Sequence, residues 1–202
     1  MNILIVEPFL TGSHKAWAEE YAKYSSHEVD ILGLEGRHWK WRMHGGAVTL
    51  AKYFLEYGLD PDLILATDML DLTTFLALTR EKTAGTPVAI YFHENQLSYP
   101  WSEGDPDPGL ERDVHYGFIN FTSALAADAV LFNSAYHMKS FLSELPGMLA
   151  AFPDYNETES AGEILGKSRV LPLGVDLSAL DAHRTGRDPD SPPLILWNHR
   201  WE

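Results

Sequence analysis

The polarity of the chain runs in alternating blocks. Residues 2–6 (NILIV) are apolar throughout, which suits a strand covered on both faces. A GSHK turn at 12–15 leads into a segment of helical spacing that reaches about residue 24. Residues 29–34 (VDILGL) predict a second strand, then a basic loop at 36–46 and a helix from about 47 to 57. Residues 62–67 (DLILAT) predict a third strand, with Pro61 as its start signal, and 72–81 a helix. Residues 88–92 (VAIYF) predict a fourth strand, announced by Pro87. A polar loop at 95–109 holds Gly104, Pro106, Pro108 and Gly109, and a helix is expected over 110–126. Residues 129–132 (AVLF) predict a fifth strand, and Ser134 is placed to cap the helix after it. Two later strands are expected at 169–173 and 194–197. Repeated strand–helix units predict an α/β, Rossmann-like parallel sheet with helices on both faces.

The last twenty residues differ. RTGRDPDSPP (184–193) has the composition of a linker, and LILWNHRWE (194–202) opens a new strand. The expected organisation is a domain over 1–183, a linker over 184–193, and the first strand of a second α/β unit from 194. The chain therefore reads as the first half of a larger protein.

Composition narrows the possibilities. Of 202 residues, 45% are hydrophobic, enough for a substantial core. There is no cysteine, which excludes a disulfide framework, a thiolate metal site and a cysteine nucleophile. No apolar run reaches the length of a membrane span. The N-terminus lacks a basic flank and a small-residue cleavage site. A soluble, cytoplasmic protein without a membrane partner is expected. The net charge of −14 favours solubility and argues against general nucleic-acid binding, though not against a small local basic site.

In parallel α/β sheets, ligands bind outside the carboxyl ends of the strands. Four polar clusters fall there, after the first, second, fourth and fifth strands. In the first, Gly12 lets backbone N–H groups approach an anion at a helix N-terminus. Ser13, His14 and Lys15 add polar groups and a charge. The alternative is a plain turn with Ser13 as the helix cap. The absence of GxGxxG disfavours a dinucleotide. In the cluster after the fourth strand, His93 can hydrogen-bond a sugar hydroxyl or a phosphate, and Glu94, Asn95 and Gln96 follow it directly. His93 and Glu94 are adjacent on extended backbone, so they point to opposite faces and do not chelate one metal together. The alternative for His93 is a satisfied structural histidine.

The basic loop alternates Arg37, Lys40 and Arg42 with Trp39 and Trp41. Indoles stack on bases and sugar rings, and the cations neutralise phosphates. Such a loop can serve as a platform for an unstacked nucleotide. The alternative is that the indoles anchor the loop on the core while the cations stay solvated. Asn133 and Ser134 either contact an acceptor or cap the next helix. His115, Tyr116 and Asn120 read as core packing.

Six strings carry a further signal: ILIVEPFLTGSHKAWAEEY, HWKWRMHGGA, IYFHENQLSYP, HYGFINFTSALAADAVLFNSAYHMKSFL, LPLGVDL and ILWNHRWE. Together they resemble the tRNA-queuosine mannosyltransferase family, over nearly the whole chain. These are glycosyltransferases with two Rossmann-like domains (GT-B), related to the retaining family-4 enzymes. The resemblance implies that this chain is the acceptor-binding N-terminal domain. The C-terminal domain would hold the nucleotide-sugar, GDP-mannose, and the acceptor would be queuosine in a tRNA anticodon. It also implies that His93 contacts the transferred sugar as the catalytic residue, and that Arg200 meets the donor diphosphate. Gly12, Ser13, His14, Lys15, Arg37, Trp39, Lys40, Trp41, Arg42, Glu94, Asn95, Gln96, Asn133 and Ser134 become the acceptor-side candidates. No cofactor or metal is expected, since such enzymes hold the diphosphate with protein cations and helix N-termini. Retaining enzymes of this type do not require Glu94 as a base. LPLGVD resembles the interdomain turn of GT-B enzymes, with Leu173 in place of the usual Asn, and reads as a hinge in which Gly174 supplies a tight turn. Two other readings stay open: a transferase with a small-molecule or lipid acceptor, and a non-catalytic RNA-binding module.

Overall fold

The structure, a computed structural model, describes residues 1–110 and 114–182 together with positions 186 and 192. Six parallel strands form one sheet: β1 (Asn2–Leu10), β2 (Glu28–Glu35), β3 (Leu63–Thr67), β4 (Val88–Phe92), β5 (Ala129–Phe132) and β6 (Ser168–Val170). Their order is β2-β1-β3-β4-β5-β6, and every neighbouring pair is parallel. The helices between them are α1 (Gly12–Tyr24), α2 (Trp39–Glu56), α3 (Leu72–Thr83), α4 (Val114–Ala126), α5 (Ala135–Ala150) and α6 (Ser160–Lys167). A short α7 (Ser178–Asp181) follows.

Alternation along the strands sorts the core into two layers. Leu4, Val6, Ile64, Ile90 and Phe132 point to one face and pack on Leu50 and Phe54 of α2, Phe75 of α3, Phe121 of α4, Phe141 of α5 and Ile164 of α6. Ile3, Ile5, Leu65 and Tyr91 point to the other face, where α1 contributes Ala18, Trp17 and Tyr21. Right-handed crossovers require this split. The step from β1 to β2 runs one way along the sheet and every later step runs the other. Helices cover both faces: α1 packs on one, and α2 to α6 pack on the other.

The strand predictions hold to within a few residues, and β4 and β5 fall on the expected bounds. Four differences matter. β1 continues to Leu10, because Pro8 interrupts ladder pairing with β2 without ending the strand. The stretch read as a basic loop is mostly helix, since α2 begins at Trp39 rather than near residue 47. Gly45 and Gly46 suggested a loop, but they lie inside α2 and answer to packing. A Cβ on Gly46 would sit 2.8 Å from Pro8 Cβ, and one on Gly45 would sit 2.5 Å from the Trp41 ring. The helix expected over 110–126 is described over Val114–Ala126, and a 3-10 turn occupies Pro108–Leu110. The late strand stops at Val170. Gly174 does not adopt positive φ, so no left-handed turn marks the 171–176 stretch. The linker at 184–193 and the strand at 194–197 lie outside the described residues, apart from positions 186 and 192.

Candidate active site

Strand order reverses at β1, so a crevice opens outside the ends of β1 and β3. A pocket of about 420 Å³ lies there. Gly12, Ser13 and His14 of α1 line one side, and Glu94 and Gln96 after β4 line another. Trp39 of α2, Phe9, Tyr99 and Trp101 supply aromatic walls. A larger groove of about 700 Å³ lies on the α1 face of the sheet, bounded by Trp17, Tyr21 and Tyr24 of α1 and by Leu171–Asp176. It contains none of the expected site residues. The smaller pocket gathers residues from three of the four predicted clusters.

The floor is a set of buried charges. Glu7, inside β1, is fully buried. Its Oε1 accepts from the Phe9 N–H at 2.8 Å, and its Oε2 accepts from His14 Nδ1 at 2.9 Å. Burial works to lower the pKa of His14, but the Glu7 hydrogen bond and charge outweigh it, helped by Asp68 and Glu94, and raise it from 6.5 to about 9. The ring of His93 lies 4.4 Å from that of His14, centroid to centroid. Burial, then the charges of His14 and His137, push the His93 pKa down to about 3. One imidazole of the pair is therefore cationic at neutral pH and the other neutral.

His93 is held from three sides. Its backbone N–H donates to Asp68 Oδ1 at 2.8 Å, and its carbonyl accepts from Asn133 Nδ2 at 2.7 Å. Its ring meets Trp17 edge to face at 4.6 Å and Tyr91 at 4.9 Å. Its Nε2 is buried with no hydrogen-bond partner. Asp68, at the end of β3, is buried too, and burial raises its pKa well above the ordinary value, opposed by His14 and reinforced by Glu94. Asn120 braces the floor, donating to the Asp68 carbonyl at 2.8 Å and accepting from the Gln96 N–H at 2.8 Å.

One ligand-type atom from each of Glu7, His14 and His93 lies within 4.8 Å of the others. With Nδ1 and Nε2 both protonated, His14 has no lone pair to give a metal. In the metal-free protein the trio is an ion pair beside a neutral imidazole.

The remaining expected residues are dispersed. Asn95 is buried and accepts from Leu97 N, Ser98 N and Ser98 Oγ, a local loop clasp. Asn133 occupies its amide with His93 and with His137 Nδ1, at 3.1 Å. Ser134 caps α5 through the His137 N–H at 3.1 Å. Ser13 is not a cap, because Thr11 holds that position and makes no side-chain cap bond. Lys15 pairs with Glu19 on the surface of α1.

The basic stretch is not a flat platform. Helical rotation of about 100° per residue sends its side chains apart. Trp39 packs with Trp101 and Tyr116 at the pocket wall. Lys40 Nζ bridges Asp105 at 2.7 Å and Asp107 at 2.6 Å, tying the loop after β4 to α2. Trp41 is 64% exposed. Arg42 donates to the Glu35 carbonyl, and Arg37 pairs with the Glu35 carboxylate. Arg200 lies outside the described residues.

Sequence reading missed Glu7, Asp68, Trp101 and the Asp105–Asp107 pair. Glu7 left a signal, a lone carboxylate in an apolar strand. Asp68 left another, at the end of the one predicted strand whose following residues were passed over. Nothing local marked Trp101 or the two loop aspartates, which meet α2 only through the tertiary fold.

A six-stranded parallel sheet with a polar, aromatic-walled pocket at its switch point defines a Rossmann-like domain. The chain belongs to the family described as tRNA-queuosine alpha-mannosyltransferase N-terminal, whose profile matches residues 2–175. It is also 32% identical, over 209 residues, to the tRNA-queuosine alpha-mannosyltransferase of Drosophila melanogaster. That alignment covers 100% of this chain and 54% of the fly protein, so the chain spans about half the length of this relative. Among the described residues, no helix is long and apolar enough to cross a membrane.

Proposed function

We propose that this chain is the acceptor-side half of a retaining glycosyltransferase that moves a hexose, mannose from GDP-mannose, onto queuosine in tRNA. The observation that carries the reading is the convergence of Gly12, Ser13 and His14 with Glu94 and Gln96 around one aromatic-walled pocket, in a chain of this family. The acceptor ring would lie against the wall that Trp39 and Trp101 form together, with Glu94 and Gln96 oriented towards its hydroxyls. Neutral His93 would offer Nε2 to a hydroxyl of the transferred sugar. Cationic His14 would favour the charge that develops on the departing diphosphate. Catalysis would rest on positioning and electrostatics, with no cofactor. Exposed Trp41, with Arg37 and Arg42 on the same stretch, would meet the tRNA outside the pocket, and the reaction would be cytoplasmic. Arg200 and the rest of a full-length protein would hold the nucleotide-sugar, so the 202-residue chain by itself would bind acceptor without transferring sugar.

The test is nucleoside mass spectrometry of tRNA from the source organism, with and without the intact gene. A hexosylated queuosine that disappears with the gene supports the reading. Unchanged queuosine rejects the acceptor and turns the search to small-molecule glycosides.

A further inference from the structure

Glu7 lies one strand layer beneath the pocket and lines no part of it. It is a carboxylate in the middle of an apolar strand, fully buried, with each oxygen assigned: Oε1 to the Phe9 N–H and Oε2 to His14 Nδ1. The Phe9 bond fixes the carboxylate's orientation, so its second oxygen can only face His14. A packing residue would be cheaper at such a place, since burying a carboxylate costs several kcal/mol unless a partner offsets it. The partner is an imidazole that itself lines the pocket. A second imidazole, His93, stands 4.4 Å away with Nε2 buried and unpartnered.

We propose that Glu7 is a positioning residue that decides which of the two adjacent imidazoles carries the proton. By holding Nδ1–H of His14 it makes that ring, which lines the pocket, the fixed hydrogen-bond donor, and it leaves His93 behind it as the neutral partner with Nε2 buried and unpartnered. The two rings then differ in charge side by side, His14 at the pocket and His93 behind it, a division that paired titratable groups in contrasting environments commonly support. The groups facing His14 are Glu7 from β1, Asp68 from β3, and His93 and Glu94 from the end of β4. Those facing His93 are His14 from α1, His137 from α5, Glu7 from β1 and Asp68 from the end of β3. Glu7 bonds directly to an imidazole nitrogen of the pair. The proposal rests on the functional reading for its use in transfer, but its proton assignment stands without that reading.

The experiment is an NMR titration of the histidine ring nitrogens in the 202-residue chain, wild type against Glu7→Gln. In the wild type, His14 is expected to stay protonated through pH 8, and His93 to stay neutral down to pH 5. In Glu7→Gln, the proton affinity of His14 is expected to fall at least tenfold. A His14 midpoint near 6.5 in the wild type, or one unmoved by Glu7→Gln, overturns the proposal. The wild-type arm needs no variant, so a poorly folded Glu7→Gln does not rescue it. In the intact transferase, Glu7→Gln should lower kcat more than tenfold, move the alkaline limb of the pH profile downwards, and leave KM for the acceptor within about twofold. Loss confined to KM, or a profile of unchanged shape, overturns the catalytic part. If the intact protein shows no transferase activity at all, the functional reading fails while the titration still decides the proton assignment.

Discussion

Asn133 uses both ends of its side-chain amide inside the protein. Replacing it with alanine strands the His93 carbonyl and the His137 ring N–H together. Such a loss costs about 1–3 kcal/mol per buried group, so Asn133→Ala should lower the urea midpoint clearly. Ser134→Ala removes only a helix cap and should cost about 1 kcal/mol in the same assay. The histidines make stability depend on pH. His14 has a raised folded pKa, so its contribution is complete below 6.5 and is lost as pH rises through about 9. His93 and His137 are lowered to about 3 and about 4, so theirs is complete above 6.5 and is lost as pH falls from there. Urea midpoints measured from pH 6.5 to pH 9.5 should fall as His14 loses its proton, and Glu7→Gln should flatten that decline. At this scale the sequence disclosed which residues were polar at strand ends, but not which were already engaged. Asn95 engages its own loop, and Asn133 engages the His93 carbonyl and the His137 ring, partners that the sequence does not show.

Glycine placement in the helices separates two physical roles. Gly46 in α2 is buried against Pro8, so a methyl there overpacks the contact between α2 and β1. Gly46→Ala should cost about 1–3 kcal/mol despite alanine's better helix propensity. Gly147, inside α5, has open space around it, and Gly147→Ala should gain about 0.5–1 kcal/mol. Thermal melts of the two variants should move in opposite directions. The Lys40 bridge is an element-scale device as well. Lys40→Met should free the 99–107 loop, seen as faster amide exchange there, while global stability falls by no more than about 1 kcal/mol. Strands were legible because both their faces are buried, which makes them uniformly apolar. The start of α2 was not, because the two glycines that argue for a loop are selected by neighbours, Pro8 and Trp41, that no local pattern reveals.

Across the whole chain, 29 acidic residues against 15 basic ones leave RNA little general attraction. Any tRNA contact must be local. If Arg37 and Arg42 meet tRNA as proposed, the salt dependence should be weak, with a slope of about one to three released counterions rather than six to ten. Fluorescence anisotropy with a queuosine-containing anticodon stem, from 50 to 200 mM salt, checks this. The architecture was legible from the rhythm of strands and helices. The asymmetry of the sheet was not, since it depends on the direction of each crossover. The placement of α1 has a consequence of its own. It sets Trp17 stacked on Tyr91 at 4.8 Å and edge-on to His93 at 4.6 Å. An indole in contact with an imidazole dims when that ring is protonated or polarised. Light emitted by Trp17, isolated by comparison with a Trp17→Phe chain, should therefore follow occupancy at His93 in real time. The domain carries its own lamp beside the group on which its chemistry is proposed to turn.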